Sequence, residues 1–79
     1  MTQPKVEKIK PFAEARENVM GGALCLSGTR IPAETLYDNF DRGWTIKDMT
    51  TKLWPHLKGR EKDIVLCIEL IKDIKHDSL

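Results

Sequence analysis

The stretch Gly22-Ala-Leu-Cys-Leu-Ser-Gly-Thr-Arg-Ile-Pro-Ala-Glu34 constrains this chain more than any other. A short apolar run lies between glycines, followed by a Gly-Thr-Arg turn and an Ile-Pro pair. Proline fixes φ at about −65° and lacks an N–H, so it suits the first turn of a helix and disrupts a helix interior. A strand must therefore end near Ser27-Gly28, and a helix must begin near Pro32. The junction between them is short and rigid, and it presents Arg30. It offers no nucleophile–base pair and no metal cluster, so it points to binding rather than to catalysis.

The apolar spacing lays out the rest. Gly21-Gly22 separates Val19-Met20 from Ala23–Leu26, which predicts a β-hairpin, because both centres of a tight hairpin turn need φ > 0. Ala33, Leu36, Tyr37 and Phe40 follow the i, i+3, i+4, i+7 pattern and predict a first helix over 32–42, stopped by Gly43. Thr45 followed by Asp48 reads as a capping pair for a second helix carrying Ile46, Met49 and Leu53. Pro55 ends it, since the residue before proline avoids the α region. After Lys58-Gly59, a third helix runs from Arg60 to about Lys75 on a stripe of Ile64, Cys67, Ile68, Ile71 and Ile74. Val65, Leu66 and Leu70 widen that stripe past half the circumference, which calls for a second partner besides the core: another copy of the chain or a different protein.

Residues 1–17 are polar and read as an arm. Within it Lys5–Lys10 alternates weakly, as a short edge strand does, and Phe12–Asn18 suits a helical turn. The expected fold is mainly α: the arm, then one domain over 18–79, a short N-terminal β-hairpin followed by a three-helix, winged helix-turn-helix.

Seventy-nine residues make one domain at most. Such a chain buries only about 60% of its unfolded surface, which argues against a deep catalytic pocket and favours self-association. The net charge of +1 does not by itself indicate a nucleic-acid partner. Cys25 and Cys67 lie in apolar runs and read as buried free thiols of a reducing cytoplasm. With His56 and His76 they lack the paired close spacings of a zinc site. No apolar run approaches the ~20 residues of a membrane span, and the start lacks the apolar core of a signal peptide. The expectation is a soluble cytoplasmic protein, not an enzyme, with no cofactor, metal or membrane partner.

From Thr45 to Leu70 a capped short helix, a turn and a longer helix with a basic start follow the order of a helix-turn-helix. In that motif the N-terminal residues of the second helix face the bases of the major groove. Lys58, Arg60 and Lys62 occupy those positions: Arg60 suits a bidentate contact to guanine, and the two lysines suit phosphates. Lys47 and Lys52 are further phosphate candidates. From Trp44 to Asp63 the charges leave an excess of two positive groups. On residues alone, an ordinary three-helix packing with a solvated charged loop fits equally well. Arg30 also has two readings: a contact to phosphate or to a partner's carboxylate, or a clamp that ties the hairpin to the helices through backbone carbonyls. His56 in the turn suits capping or packing ahead of a phosphate contact, His76 is expected in solvent, and Trp44 and Trp54 in the core. Gly22–Thr29 lacks the lysine of a phosphate-binding loop, and Ser27 lacks the frame of a nucleophile elbow.

Gly22-x-x-x-Leu26-x-Gly28-Thr29-Arg30-Ile31-Pro32, then Gly43 with Thr45, Trp54-Pro55-His56-Leu57 and Asp63-Ile64 together resemble the small bacterial family catalogued as domain of unknown function 433. The resemblance covers roughly Gly21 to Leu70. It implies a helix-turn-helix with a preceding β-hairpin that helps dimerisation. It also implies an antitoxin that binds a PIN-like ribonuclease toxin and, with double-stranded DNA as second partner, represses its own operon. The chain departs from the family's pattern at Ala23, Leu24 and Ser27, which replace basic and proline positions, and at Trp54, which replaces a tyrosine. The turn before Asp63 is longer and basic, which moves the expected DNA contacts to the start of the last helix.

Overall fold

The structure, a computed structural model, describes residues 6–77. Residues 6–16, expected as part of a polar arm, form two strands. β1 (Val6–Lys10), β2 (Ala13–Arg16) and β3 (Leu24–Leu26) make one antiparallel sheet in the order β1-β2-β3. The weak alternation of Lys5–Lys10 does mark an edge strand. All five residues of β1 are exposed, and Lys8, Lys10 and the following Pro11 discourage further pairing along that edge. Lys5 itself lies outside the described residues.

The predicted mainly-α fold with one short hairpin is thus corrected to α+β: a three-stranded sheet followed by helices. The expected hairpin strand Val19-Met20 does not form. The amides of Gly22 and Ala23 both donate to the Val19 carbonyl, at 3.0 and 2.9 Å, and Met20 adopts φ 45°, so this segment closes into a tight loop. The place beside β3 goes to β2, with Ala13 opposite Leu26 and Ala15 opposite Leu24. Ala-Glu-Ala-Arg favours helix locally, but its pairing with both β1 and β3 overturns the helical turn expected at Phe12–Asn18. Four residues after a proline are too few to nucleate a helix, and ladder pairing overrides propensity.

The helices lie close to their predicted positions. α1 (Ala33–Asp41) starts behind Pro32 and ends before Gly43, whose φ of +102° only glycine adopts without strain. α2 (Ile46–Asp48) is opened by Thr45, whose Oγ1 accepts from the Asp48 N–H at 3.1 Å. The helix then widens into a π-helical turn, Met49–Leu53, in which the Trp54 N–H donates to the Met49 carbonyl at 2.7 Å. The Thr50 and Thr51 hydroxyls donate back to the Lys47 carbonyl, which favours such a departure from regular α geometry. Pro55 stops this element as predicted. A single 3₁₀ turn, Pro55–Leu57, then drops Leu57 into the core, and α3 (Glu61–Asp77) follows.

Leu26, Leu36, Met49, Leu57 and Ile64 are the largest members of the core; Cys67, Ile68 and Ile71 extend it along α3. Trp44 and Trp54 pack against it, half-buried. One core therefore joins the sheet, the β3–α1 junction and all three helices, and it fixes where the α2–α3 turn is presented.

Candidate functional site

The residues expected to meet DNA separate into two groups. Lys47 on α2, Lys52 on the π-helical turn, Lys58 in the turn before α3 and Lys62 in the first turn of α3 are all exposed. None of their ammonium groups forms an ion pair among the described residues. The turn carrying Lys58 is anchored at both ends. Leu57 is buried on one side, and on the other the Arg60 N–H donates to the Leu57 carbonyl at 2.9 Å.

Arg60 is not free in this way. Its Nε and Nη2 donate to Asp63 Oδ2 at 3.2 and 3.1 Å, and its Nη1 donates to the Ser27 carbonyl at 2.5 Å. The Nε–Nη2 edge, the fork that would read a guanine, is occupied by a carboxylate. Arg30 is exposed and makes no hydrogen bond or ion pair among the described residues. The clamp onto a backbone carbonyl that its sequence position suggested is made by Arg60 instead. Sequence spacing cannot foresee that exchange, because the two arginines stand thirty residues apart.

Sequence reasoning missed Glu14. It lies on β2 with 8% of its surface exposed, accepts from the Gly28 N–H at 2.7 Å through Oε1, and pairs with Arg16 Nη2 at 3.0 Å through Oε2. Its only trace in the sequence is the small–charged alternation of Ala13-Glu-Ala-Arg16. Gly28 itself has φ +80°, which explains the glycine at that point of the motif.

The rest of the α3 surface is not basic. Beyond Lys62 its exposed residues include the apolar Val65 and Leu66, and Glu69 and Asp73 are balanced by Lys72 and Lys75. Beside them a cleft of about 190 Å³ opens between Phe40 of α1, Ile46 of α2, and Val65 and Ile68 of α3, rimmed by Glu69 and Lys72. Phe40 is 50% exposed there. His56 and His76 are both exposed.

Cys25 and Cys67 are buried free thiols. Burial pushes the Cys67 thiol up from 9.0 to about 11, with the Asp63 carboxylate adding to the rise. It raises the Cys25 thiol as well. Both therefore stay protonated and unreactive near neutral pH. Among the described residues no group of three or more His, Cys, Asp or Glu side chains is placed to hold a metal ion, and no helix is long and apolar enough to cross a membrane.

Neither the search of curated proteins nor the search of solved structures returned a match. The model of one family, described as a protein of unknown function (DUF433), matches residues 14–69, from the buried Glu14 to Glu69 on the rim of the cleft. That span runs from β2 through β3, α1 and α2 into α3 and includes most of the core, and the chain belongs to this family.

Proposed function

We propose that this protein binds double-stranded DNA through the α2–turn–α3 unit, as a homodimeric antitoxin that represses its own operon. The observation that carries this reading is the set of four exposed, unpaired lysines, Lys47, Lys52, Lys58 and Lys62, on consecutive elements of that unit. Unpaired ammonium groups on a rigid frame give phosphate contacts and the salt dependence that accompanies them. In this reading the lysines position the first turn of α3 at the major groove. Arg60 is assigned no base contact, since its fork is filled.

The test is a fluorescence-anisotropy titration against the DNA upstream of the protein's own coding sequence and against a scrambled duplex, across a salt series. Preference for the promoter at about 0.15 M salt is expected, and each of Lys58→Gln and Lys62→Gln should lower the salt slope by about one. Equal affinity for both duplexes would end the repressor reading.

A second reading is favoured by the cleft beside Phe40 and Val65, and by the exposed apolar side chains Val65 and Leu66 of α3. In this reading the chain neutralises a partner enzyme, such as a PIN-like ribonuclease, without touching DNA. Promoter binding by the unaltered protein separates the two, since this reading predicts none; where both functions coexist on separate surfaces, Val65→Glu should abolish co-purification with the neighbouring gene's product and leave promoter binding intact.

A further inference from the structure

The Ser27 carbonyl and the Gly28 N–H belong to one peptide group, and it is held from both ends. Glu14 Oε1 accepts from the N–H at 2.7 Å, and Arg60 Nη1 donates to the carbonyl at 2.5 Å. Each holder is itself fixed by a charged neighbour, Glu14 by Arg16 on the same strand and Arg60 by Asp63 in the first turn of α3. One peptide plane thus links β2, the β3–α1 turn and the N-terminus of α3. Bonds made to the two ends of one peptide polarise each other, so each strengthens the other.

The placement gives the link a purpose. Lys58 and Lys62 lie two residues to either side of Arg60. Leu57 anchors one end of the turn in the core, and Ile64, Cys67, Ile68 and Ile71 hold α3 further along, but neither fixes the path of the chain between Leu57 and Ile64. The Arg60 bond to the rigid Ser27–Gly28 turn supplies an attachment between those two anchors. The Ser27–Gly28 turn is itself rigid: Gly28 takes φ +80°, and Thr29 Oγ1 donates to the Leu26 carbonyl at 2.8 Å while accepting from the Ile31 N–H at 3.1 Å.

We infer that Arg60 is a positioning residue, which acts with Glu14 through the shared Ser27–Gly28 peptide to hold the α2–α3 turn and the start of α3 in place, and so to place Lys58 and Lys62. The clamp stands on its geometry. Its effect on DNA rests on the reading proposed above.

Two measurements on the full chain test it. In amide hydrogen exchange followed by NMR, Arg60→Gln and Glu14→Gln should each reduce the protection of the Gly28 amide by about tenfold, the scale of one charge-assisted hydrogen bond. Lys62→Gln should leave that amide unchanged. In promoter titrations, Arg60→Gln and Glu14→Gln should both weaken binding, and the double variant should bind no worse than the weaker single one, because both cut the same link. Arg60→Lys, which retains one donor for the Ser27 carbonyl, should recover part of the loss. It also stands in for Arg60→Gln should that variant unfold.

A Gly28 amide indifferent to Arg60→Gln would overturn the clamp. Full affinity in Glu14→Gln beside a loss in Arg60→Gln, with the salt slope lowered by about one, would make Arg60 a direct contact and overturn its positioning role. If the unaltered protein does not prefer its promoter, the DNA reading falls, and the Gly28 amide alone decides whether the clamp exists.

Discussion

At the Ser27–Gly28 turn, charged side chains hold backbone. Glu14 takes an N–H, Arg60 takes a carbonyl, and Arg16 and Asp63 neutralise them. On the α2–α3 surface, Lys47, Lys52, Lys58 and Lys62 hold nothing within the described residues. Both regions are rich in charged side chains, and they differ in burial. A half-buried guanidinium or a buried carboxylate is costly unless it is hydrogen-bonded, so the fold supplies partners. An exposed ammonium is satisfied by water, and it gains little from an intramolecular pair. Charge at the first region therefore supports the architecture, and charge at the second remains free for an external anion.

The comparison can be broken first at the core beneath the junction. Leu26 is fully buried where the sheet meets the helices, and Leu26→Ala should cost about 2–5 kcal/mol of stability, read from the midpoint of urea unfolding. A loss under about 1 kcal/mol would mean that the junction is not part of the core.

Alkaline pH probes the same region. The Cys67 thiol is raised from 9.0 to about 11, so between those values the folded chain holds a proton that the unfolded chain has released. The contribution is fully present below about pH 9 and is lost as pH rises toward 11, amounting to roughly 2–3 kcal/mol. Urea midpoints at pH 8 and pH 10.5 should differ more for the unaltered protein than for Cys67→Ala. Identical pH profiles would show that the thiol is not sequestered.

Gly28→Ala comes next. An added Cβ meets only Arg60 Nη1, at 3.8 Å, which is ordinary contact, so the expense lies in the φ of +80°. About 1–2 kcal/mol is expected, without a change in the unfolding slope. A neutral outcome would show that the turn relaxes and that Arg60 follows it.

The smallest effect belongs to the other region. Lys58→Gln and Lys62→Gln should each change stability by less than about 0.5 kcal/mol, as befits exposed side chains without partners. The sharp result is the contrast: near-native unfolding together with weakened, less salt-dependent promoter binding. A large stability loss in either variant would show that the lysines are structural after all.

The helical half of the molecule was legible for local reasons. Pro32, Gly43, Thr45 and Pro55 act within a turn of themselves, so α1, the start of α2 and the stop before α3 follow from them. The stripe from Ile64 to Ile71 likewise marks the buried side of α3. The π-helical turn at Met49–Leu53 was not legible, because threonines at such positions also occur in regular helices. The sheet was only partly legible. The alternation in β1 is visible, but β2 reads locally as helix-forming, and Gly21-Gly22 suggests a hairpin that the Val19 loop replaces. Among the candidate contacts, the exposure of the four lysines follows from their place on polar sides of short helices and turns. The capture of Arg60 by Ser27 does not, since it joins residues thirty-three positions apart.

By itself, then, the sequence determined the strand-to-helix junction at Gly28–Pro32, the three helices and their order, and the apolar stripe of α3. Each of these rests on interactions between residues close along the chain, through φ restrictions, caps and helical periodicity. Tertiary structure alone decided that β2 takes the place beside β3, that Glu14 is buried against Gly28, and that Arg60 rather than Arg30 is the clamp. Those outcomes depend on which distant groups the single core brings together, and a buried charge takes its partner from the groups that the folded core places within reach.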